Sequence, residues 1–400
     1  MEIRPILSAM TRNKTGAILI ALQIAFTLAI VVNAVFIINE RIRKITRSTG
    51  MDVENIIAMD ARAIGEDYNK LEMVRADMEI LRNLPGVVSA STSQHVPLSG
   101  GGWGTELKAQ PGEDAPRFNM ARYNIDDRIV DTLGLKLESG RAFHPEEIMY
   151  YEDFGHPIEQ VLITRVLADE MFPDGGALGA TVYNGLDEPG TVVGVIERMH
   201  GAWVGWDKLE NVVLVPLIPS GAFTRYIVRT EPGERDRLIP VIEETLARSS
   251  KDRIIQNIKP MSDLKKRSYS RDTGMAILLS AVIVLLVAIT ALGIVGLASF
   301  LVRQRTKQIG TRRAIGARKF HIVRYFMMEN WLMTTFGVVL GTVLAFALNH
   351  WLVTQFEMTR LSLVYVPVGI LSLWALGLIA VFGPARRAAS ISPAIATRTV

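Results

Sequence analysis

The chain has 400 residues, with 44 Lys and Arg against 40 Asp and Glu, and a net charge of +4. This near balance argues against a uniformly basic nucleic-acid-binding protein, and the absence of Cys excludes disulfides, cysteine-based zinc sites, iron–sulfur clusters and a cysteine nucleophile. Hydrophobic residues make up 49% of the chain and the mean hydropathy is +0.24, which is unusual for a soluble globular protein and indicates long apolar stretches.

Four stretches without a charged residue are long enough to cross a lipid bilayer, since about 20 apolar residues span its hydrocarbon core as a helix. Buried core helices are usually shorter and amphipathic, so we predict four transmembrane helices, at residues 15–39, 273–302, 330–356 and 361–385. The second stretch has 30 residues, about 45 Å as a helix, and is expected to tilt or to project as a stalk. A cleaved signal peptide is the alternative for the first stretch, but its apolar part is too long and no small-x-small cleavage site follows it.

The charges between these stretches predict the orientation. Residues 1–14, 303–329 and 386–400 together carry a net charge of +12, with eight basic residues in the 303–329 segment alone. By the positive-inside rule these segments and both termini are predicted to be cytoplasmic. Residues 40–272 carry −8 and are predicted to form a large external domain, and residues 357–360 a short external loop. A short basic run after the first span opposes this bias, at Arg41, Arg43, Lys44 and Arg47.

Residues 40–272 are predicted to fold as a mixed α+β domain with two subdomains. Apolar spacing and flanking turn formers predict helices at residues 66–84, 165–172 and 236–248. Runs of β-branched residues bounded by turn formers predict short strands at residues 161–163, 191–196, 212–215, 226–228 and 254–258.

Motifs for catalysis are absent from the sequence. The chain has no G-x-x-x-x-G-K-[ST] phosphate-binding loop, no H-E-x-x-H and no G-x-S-x-G. Its six His residues are scattered without metal-ligand spacing, and the run at residues 144–147 is predicted to be a polar loop or a helix start. We therefore expect no catalytic residue, cofactor, metal or ATPase site in this chain, and no nucleic-acid partner.

Tryptophans stand in two glycine-flanked runs. Trp103 lies within residues 99–104, where a plain hairpin loop is the simpler interpretation, and Trp203 and Trp206 lie within residues 201–206, where the rings could cap the domain core. The alternative for all three is contact with a substrate or a partner.

Small residues in the apolar stretches predict close helix packing. Gly337, Gly341 and Ala345 stand four residues apart in the third stretch, and Gly293 and Gly296 are expected to act likewise in the second. The polar residues of the first stretch, Gln23 and Asn33, are expected to hydrogen bond to neighbouring helices. No acid or base lies in mid-membrane, which argues against ion-coupled transport.

The segment that follows the second stretch is basic and punctuated by glycine, and its distinctive residues are Lys307, Ile309, Gly310, Arg313, Ala314, Ile315, Gly316, Ala317 and the downstream Glu329. This pattern resembles the hallmark of MacB/FtsX-type permeases of ATP-binding-cassette (ABC) systems, which is close to R-x-K-E-I-G-x-x-R-A-I-G-A with a later Glu. Gln308 replaces the usual acid. The tail at residues 384–393 is similar to the family's ending, although residues 396–398 depart from it. Short sequence motifs spread between residues 134 and 195 resemble those of the MacB-type periplasmic core. The resemblance therefore covers nearly the whole chain.

This resemblance implies a coupling helix at residues 303–319 that rests in a groove of a cytoplasmic ABC ATPase dimer, which would hold the ATP and Mg. Gly310 and Gly316 would permit turns at its ends, and Ile315 and Ala317 would fill the groove. Positive charges at Arg312, Arg313 and Arg318 would pair with acids of the ATPase. A second permease chain, identical or related, a periplasmic adaptor, an outer-membrane channel and membrane lipids are the other partners implied.

The function implied is that of a permease subunit of a MacB-like exporter in a bacterial inner membrane, with residues 40–272 as a periplasmic domain and residues 357–360 as a short periplasmic loop. Such a subunit couples ATP hydrolysis to periplasmic conformational change and to efflux of a drug, peptide or similar substrate. Two alternatives stay open. One is lipoprotein extraction from the membrane, as by LolC/LolE permeases, and the other is a non-transporting signalling or regulatory FtsX-like subunit.

Overall fold

A computed structural model describes residues 14–64, 69–151, 159–219, 223–356 and 359–392. The chain divides into two compact units. We call residues up to Thr46 and from Asp272 onward the membrane unit, and Arg47–Arg271 the extramembrane unit. The predicted cytoplasmic N-terminus before residue 14, part of the 357–360 loop and the tail from residue 393 lie outside the described residues.

The structure contains ten α-helices and thirteen strands in the described residues, and all the strands lie between α1 and α6. The helices are α1 (Lys14–Thr46), α2 (Lys70–Arg82), α3 (Ile129–Leu133), α4 (Arg165–Met171), α5 (Arg235–Ser249), α6 (Met261–Ser268), α7 (Ser270–Gln304), α8 (Thr306–Ala314), α9 (Lys319–Phe356) and α10 (Tyr365–Ala389). The strands are β1 (Ile56–Ala63), β2 (Val87–Ser93), β3 (Trp103–Lys108), β4 (Arg117–Asn124), β5 (Leu137–Gly140), β6 (Met149–Tyr151), β7 (Gln160–Thr164), β8 (Thr181–Tyr183), β9 (Pro189–Ile196), β10 (Val212–Val215), β11 (Leu217–Pro219), β12 (Phe223–Thr230) and β13 (Arg253–Pro260).

Four of these helices, α1, α7, α9 and α10, are long and apolar enough to cross a membrane. The predicted set of four spans is therefore confirmed. The helices extend beyond the apolar stretches, most of all α9, which begins at Lys319 although its apolar stretch begins at residue 330. Of the four, α1 is the most deeply buried and α7 the least.

Small residues let α1 and α9 approach closely. A Cβ atom at Gly337 would lie 2.8 Å from the carbonyl oxygen of Ala21, and one at Gly341 would lie 2.9 Å from the backbone of Ala25. Further along the same face, Ala345 is fully buried. The predicted glycine row of the third span thus lies against the first span of the same chain.

Polar side chains also join α1 to its neighbours. The Asn33 amide donates to the Ala345 carbonyl at 3.0 Å, and the Gln23 amide donates to the Ile289 carbonyl at 3.0 Å. Gly293 makes room for Gln23, since a Cβ there would lie 2.6 Å from its amide oxygen. The prediction for Gly296 is wrong within this chain, because no atom lies within 4 Å of a Cβ at that position.

The extramembrane unit is built on two main sheets, as expected for a mixed α+β fold. The antiparallel four-stranded sheet has the order β13-β1-β12-β2, and apolar faces of α2 and α5 pack on it. The mixed seven-stranded sheet has the order β5-β9-β7-β10-β4-β3-β8, and β6 pairs with β11 in a separate two-stranded sheet. A shared apolar core joins the two main sheets, with Ile56 and Ile227 from the first and Leu162 and Leu214 from the second.

A buried ion pair crosses the four-stranded sheet region from α2 to β13. The Arg253 guanidinium donates two hydrogen bonds of 2.6 Å to the Asp77 carboxylate, and the Tyr226 hydroxyl donates a third at 2.7 Å. Both charged side chains are almost completely buried. Burial raises the pKa of Asp77 above its usual value, against the opposing effect of Arg253 and Tyr226.

Several predicted elements have different bounds in the structure. The helix predicted at 66–84 begins at Lys70, where Asn69 caps it by accepting a hydrogen bond from the Glu72 amide. Trp103 and Gly104 do not lie in a loop but begin β3, which pairs with β4 in register from Trp103 opposite Arg122. Glycine-rich composition suggested a loop there, but cross-strand pairing overrides it.

Candidate functional site

The segment between the second and third spans, residues 303–319, contains most of the residues assigned to coupling by the resemblance. We call it the inter-span segment. Its helix α8 runs from Thr306 to Ala314 with Ile309 and Gly310 buried. Because Gly310 lies inside this helix, the turn predicted there is wrong. The chain does reverse at Gly316, whose φ of +100° lies in the left-handed region that favours glycine.

A buried ion pair holds the start of the inter-span segment to α9. The Arg305 guanidinium donates to both carboxylate oxygens of Glu329, at 3.1 and 2.9 Å, and the Glu329 side chain is 3% exposed. Tyr325 lies beside the pair, with its hydroxyl 3.4 Å from Arg305, and the Arg312 guanidinium stands 5.3 Å from the centre of its ring. The resemblance singled out Glu329, but it did not predict that Arg305 is its ion-pair partner. The signal for Arg305 was its place at the first basic position of the motif, two residues before Lys307.

The other end of the segment is tied to the last span. The Arg313 guanidinium donates to the carbonyl oxygens of Ala389 and Ile391, at 3.0 and 2.8 Å. Carbonyls at a helix C-terminus have no partner inside the helix, and a cation satisfies them. The structure therefore places the Arg313 guanidinium at the end of α10, and its pairing with an ATPase stays a prediction.

Several side chains of the inter-span segment are exposed to solvent. Ile315 is 82% exposed, an unusual position for a large apolar side chain, and Ala317 is only partly exposed and packs on the membrane unit's core. We call four exposed residues without a described side-chain partner the outward face: Lys307, Ala314, Ile315 and Arg318. The structure thus presents one large apolar side chain, Ile315, with basic side chains on the same segment, which is held at both ends.

The tryptophans singled out in the sequence have local partners. Arg122 stacks on Trp103, with its guanidinium carbon 5.5 Å from the ring centre. Trp203 and Trp206 meet edge to face at 5.5 Å and pack against the core that joins the two sheets. Core packing therefore accounts for the latter pair.

A cleft of about 430 Å³ opens in the extramembrane unit between α2 and the two-stranded sheet. Asp126 lines it and accepts hydrogen bonds from the Ser91 hydroxyl and the Thr92 and Arg128 amides, while Arg82 forms an ion pair with it at 3.2 Å. Burial raises the pKa of Asp126 to about 6, although these donors oppose the shift. In the described ranges, no group of three or more His, Asp or Glu side chains has the arrangement of a metal site.

The folded-state pKa of Asp126 exceeds its usual value of 3.8, so the fold favours the protonated carboxyl. The stabilisation from this preference is fully present below about pH 4 and is lost as the pH rises through about 6. The expected loss between pH 4 and pH 7 is on the order of 3 kcal/mol. We expect Asp126→Asn, which cannot ionise, to gain stability relative to the native chain over this interval. Pulse proteolysis of the extramembrane unit in urea at each pH measures it, and a constant difference between the two proteins contradicts the assignment.

Comparison with known proteins finds two matching families. Residues 17–244 match the MacB-like periplasmic core domain, and residues 280–393 match the FtsX-like permease C-terminal family. A Neisseria gonorrhoeae protein named macrolide export ATP-binding/permease protein MacB is 27% identical over 96% of this chain, which spans 58% of that protein's length. A Bacillus subtilis protein named uncharacterized ABC transporter permease YvrN is 24% identical over 69% of each chain.

Among solved structures, the periplasmic region of MacB from Actinobacillus actinomycetemcomitans aligns with 56% of this chain and 97% of its own, at 16% identity and a TM-score of 0.33. Neither matching family is described as an ATPase: one is a periplasmic core and the other a permease C-terminal region.

Proposed function

Because this chain belongs to the MacB-like, FtsX-type family of ABC transporter permeases, we propose that it couples ATP hydrolysis by a partner ATPase to movement of its extramembrane unit. The substrate class proposed is a drug, a peptide or a similar molecule, driven outward from the periplasm. The substrates and activity of the named relatives are those of longer proteins, so export by this chain is our proposal.

The observation that carries the proposal is the outward face held at both ends. Arg305 and Glu329 tie the start of the inter-span segment to α9, and Arg313 ties its end to α10. A force applied at Ile315 therefore reaches two spans through short, buried or half-buried contacts instead of bending a loose loop. Since buried polar contacts are costly to break, the segment is suited to transmit a push without unfolding.

The orientation that goes with this proposal places the outward face in the cytoplasm. The inter-span segment carries seven basic residues and no acidic residue, which favours the cytoplasmic side of an inner membrane for it and for both termini. ATP and Mg would be bound by a dimer of ABC ATPases, which implies two permease chains. A periplasmic adaptor and an outer-membrane channel complete the exporter that we propose.

The test is capture of the partner ATPase, co-expressed with the tagged full chain. We expect Ile315→Asp to reduce the captured ATPase about ten-fold or more, because a charge replaces the exposed apolar side chain at the centre of the contact. Arg313 is a poor choice for this test, since replacing it would also release the end of α10.

The matched control is Leu186→Asp, which places the same charge at a similarly exposed leucine, 77% accessible, in the extramembrane unit. This variant should capture as much ATPase as the native chain. Equal capture by native chain and Ile315→Asp, with both eluting as folded protein from gel filtration, would refute the coupling role of the outward face.

A further inference from the structure

The cleft of the extramembrane unit has the features of a small-molecule site. Its volume of about 430 Å³ lies in the range of ligand pockets, which combine apolar walls with a few polar groups. The apolar part comes from Val74 and Met78 of α2 and from Ile218 of β11, all of them buried. On the opposite wall from α2, Tyr150 of β6 presents its ring and is 39% exposed.

One side chain bridges the two walls. Arg75 extends from α2 to the Tyr150 ring, with the guanidinium carbon 5.3 Å from the ring centre. A cation over an aromatic face is attracted by the negative charge of the ring face, and more strongly as water is removed. Arg75 is an exposed residue, so the bridge can open by rotation of its side chain, and the ring then offers its face to another cation.

The charges around the cleft favour a cation as the occupant. Arg82 is already bound, to the Ala90 carbonyl and to Asp126. Glu79 lies one helical turn after Arg75 on the same face of α2 and lines the cleft, and among the described residues it has no ion-pair partner. Once Arg75 swings away, the carboxylate of Glu79 and the ring of Tyr150 are left facing an apolar wall.

We propose that this cleft binds a small cationic amphiphile, a protonated or quaternary amine with an apolar body, and that Arg75 occupies the place of the ligand's cation when the cleft is empty. The amine takes the Tyr150 face beside Glu79, and the apolar body lies against Val74, Met78 and Ile218. This binding does not depend on the coupling role proposed above, since it is an equilibrium that requires no ATPase.

The experiment uses the full chain in nanodiscs of phosphatidylcholine, with empty nanodiscs as the blank, and titrates ethidium, a fluorescent cation with an apolar ring system. We expect Arg75→Ala to tighten ethidium binding, by roughly three- to thirty-fold, because the competing guanidinium is gone. Glu79→Gln should weaken it roughly three-fold. Tyr150→Leu should weaken it more, whereas Tyr150→Phe should preserve it because the aromatic face remains.

Arg248→Ala and Glu244→Gln are the matched controls, since they make the same charge changes at an exposed pair of α5 and should leave binding unchanged. An anion of similar size, anilinonaphthalene sulfonate, serves as the second probe. Binding of ethidium that Arg75→Ala leaves unchanged or weakens would overturn the proposal. So would binding of the anion that Arg75→Ala abolishes, since Arg75 would then be the ligand's partner instead of its substitute.

Discussion

Arg253→Ala is expected to destabilise the extramembrane unit by about 3–5 kcal/mol. The guanidinium of Arg253 is bound by two hydrogen bonds to Asp77, and neither side chain reaches solvent. Removing one partner of a buried pair leaves the other charge without compensation in a medium that solvates it poorly. Urea unfolding of the full chain, followed by pulse proteolysis of the extramembrane unit, measures the loss.

The control for this prediction is Arg248→Ala on the nearby helix α5. Arg248 also forms an ion pair, with Glu244, but the two side chains are 78% and 62% exposed. Solvent-exposed ion pairs contribute less than about 1 kcal/mol to the free energy of unfolding. A loss for Arg253→Ala no greater than for Arg248→Ala would show that the buried pair does not hold α2 to β13.

Gly341→Leu is expected to disrupt the membrane unit, at a cost of about 3 kcal/mol or more. Even a Cβ atom at this position would lie 2.9 Å from the backbone of Ala25, and backbone atoms of a helix cannot yield as a side-chain tip can. The first span must therefore separate from α9. Thermal unfolding in mild detergent and the yield of monodisperse protein report the change.

Gly296→Leu makes the same substitution where no atom lies within 4 Å of the added Cβ. It should leave the unfolding temperature of the chain within a few degrees of the native value. If Gly296→Leu destabilises the chain as much as Gly341→Leu, close packing of α1 on α9 is not the reason for the effect.

The four spans could be predicted because bilayer thickness imposes a length and an absence of charge that few other helices share. The residues at which these helices begin and end could not be predicted in the same way. Hydropathy identifies the part of a helix that lies in lipid. The helix α9 begins earlier, at Lys319, with an amphipathic stretch in which Ile322 and Phe326 are buried and Arg324 is exposed. Helix bounds follow hydrogen bonding and packing, which the apolar count does not record.

The extramembrane strands were predicted only where β-branched residues cluster. Strand β1 was not predicted, because its sequence, IIAMDARA, mixes apolar residues with Asp and Arg. In the structure it is a central strand of the four-stranded sheet. The partner of Asp77 could not be read from the sequence either, since Arg253 follows it by 176 positions. A signal did exist: Asp77 stands between Val74 and Met78, on the apolar face of an amphipathic helix, where a charge needs a partner.

The residues of the inter-span segment show the same division between what the sequence predicts and what it does not. The motif identified the segment. Two of its residues have a clear structural role: Gly316 forms the turn after α8, and the buried Glu329 forms an ion pair with Arg305. Which basic side chains remain available was not predictable, because Arg305 and Arg313 find their partners on α9 and α10, far along the chain. Basic residues that look equivalent in sequence therefore divide into those that hold the segment and those that point outward.

The position of Asn33 has a consequence for the synthesis of the protein. Its amide reaches the Ala345 carbonyl, 312 residues later, so at 5–20 residues per second the ribosome needs roughly 15–60 s to deliver this acceptor after Asn33 itself. During that interval α1 lacks α9, the helix whose Gly337 and Gly341 pack against it, although α7 is made before Ala345. Any product that ends before Ala345 leaves the Asn33 amide with only the Ala29 carbonyl of its own helix as an acceptor.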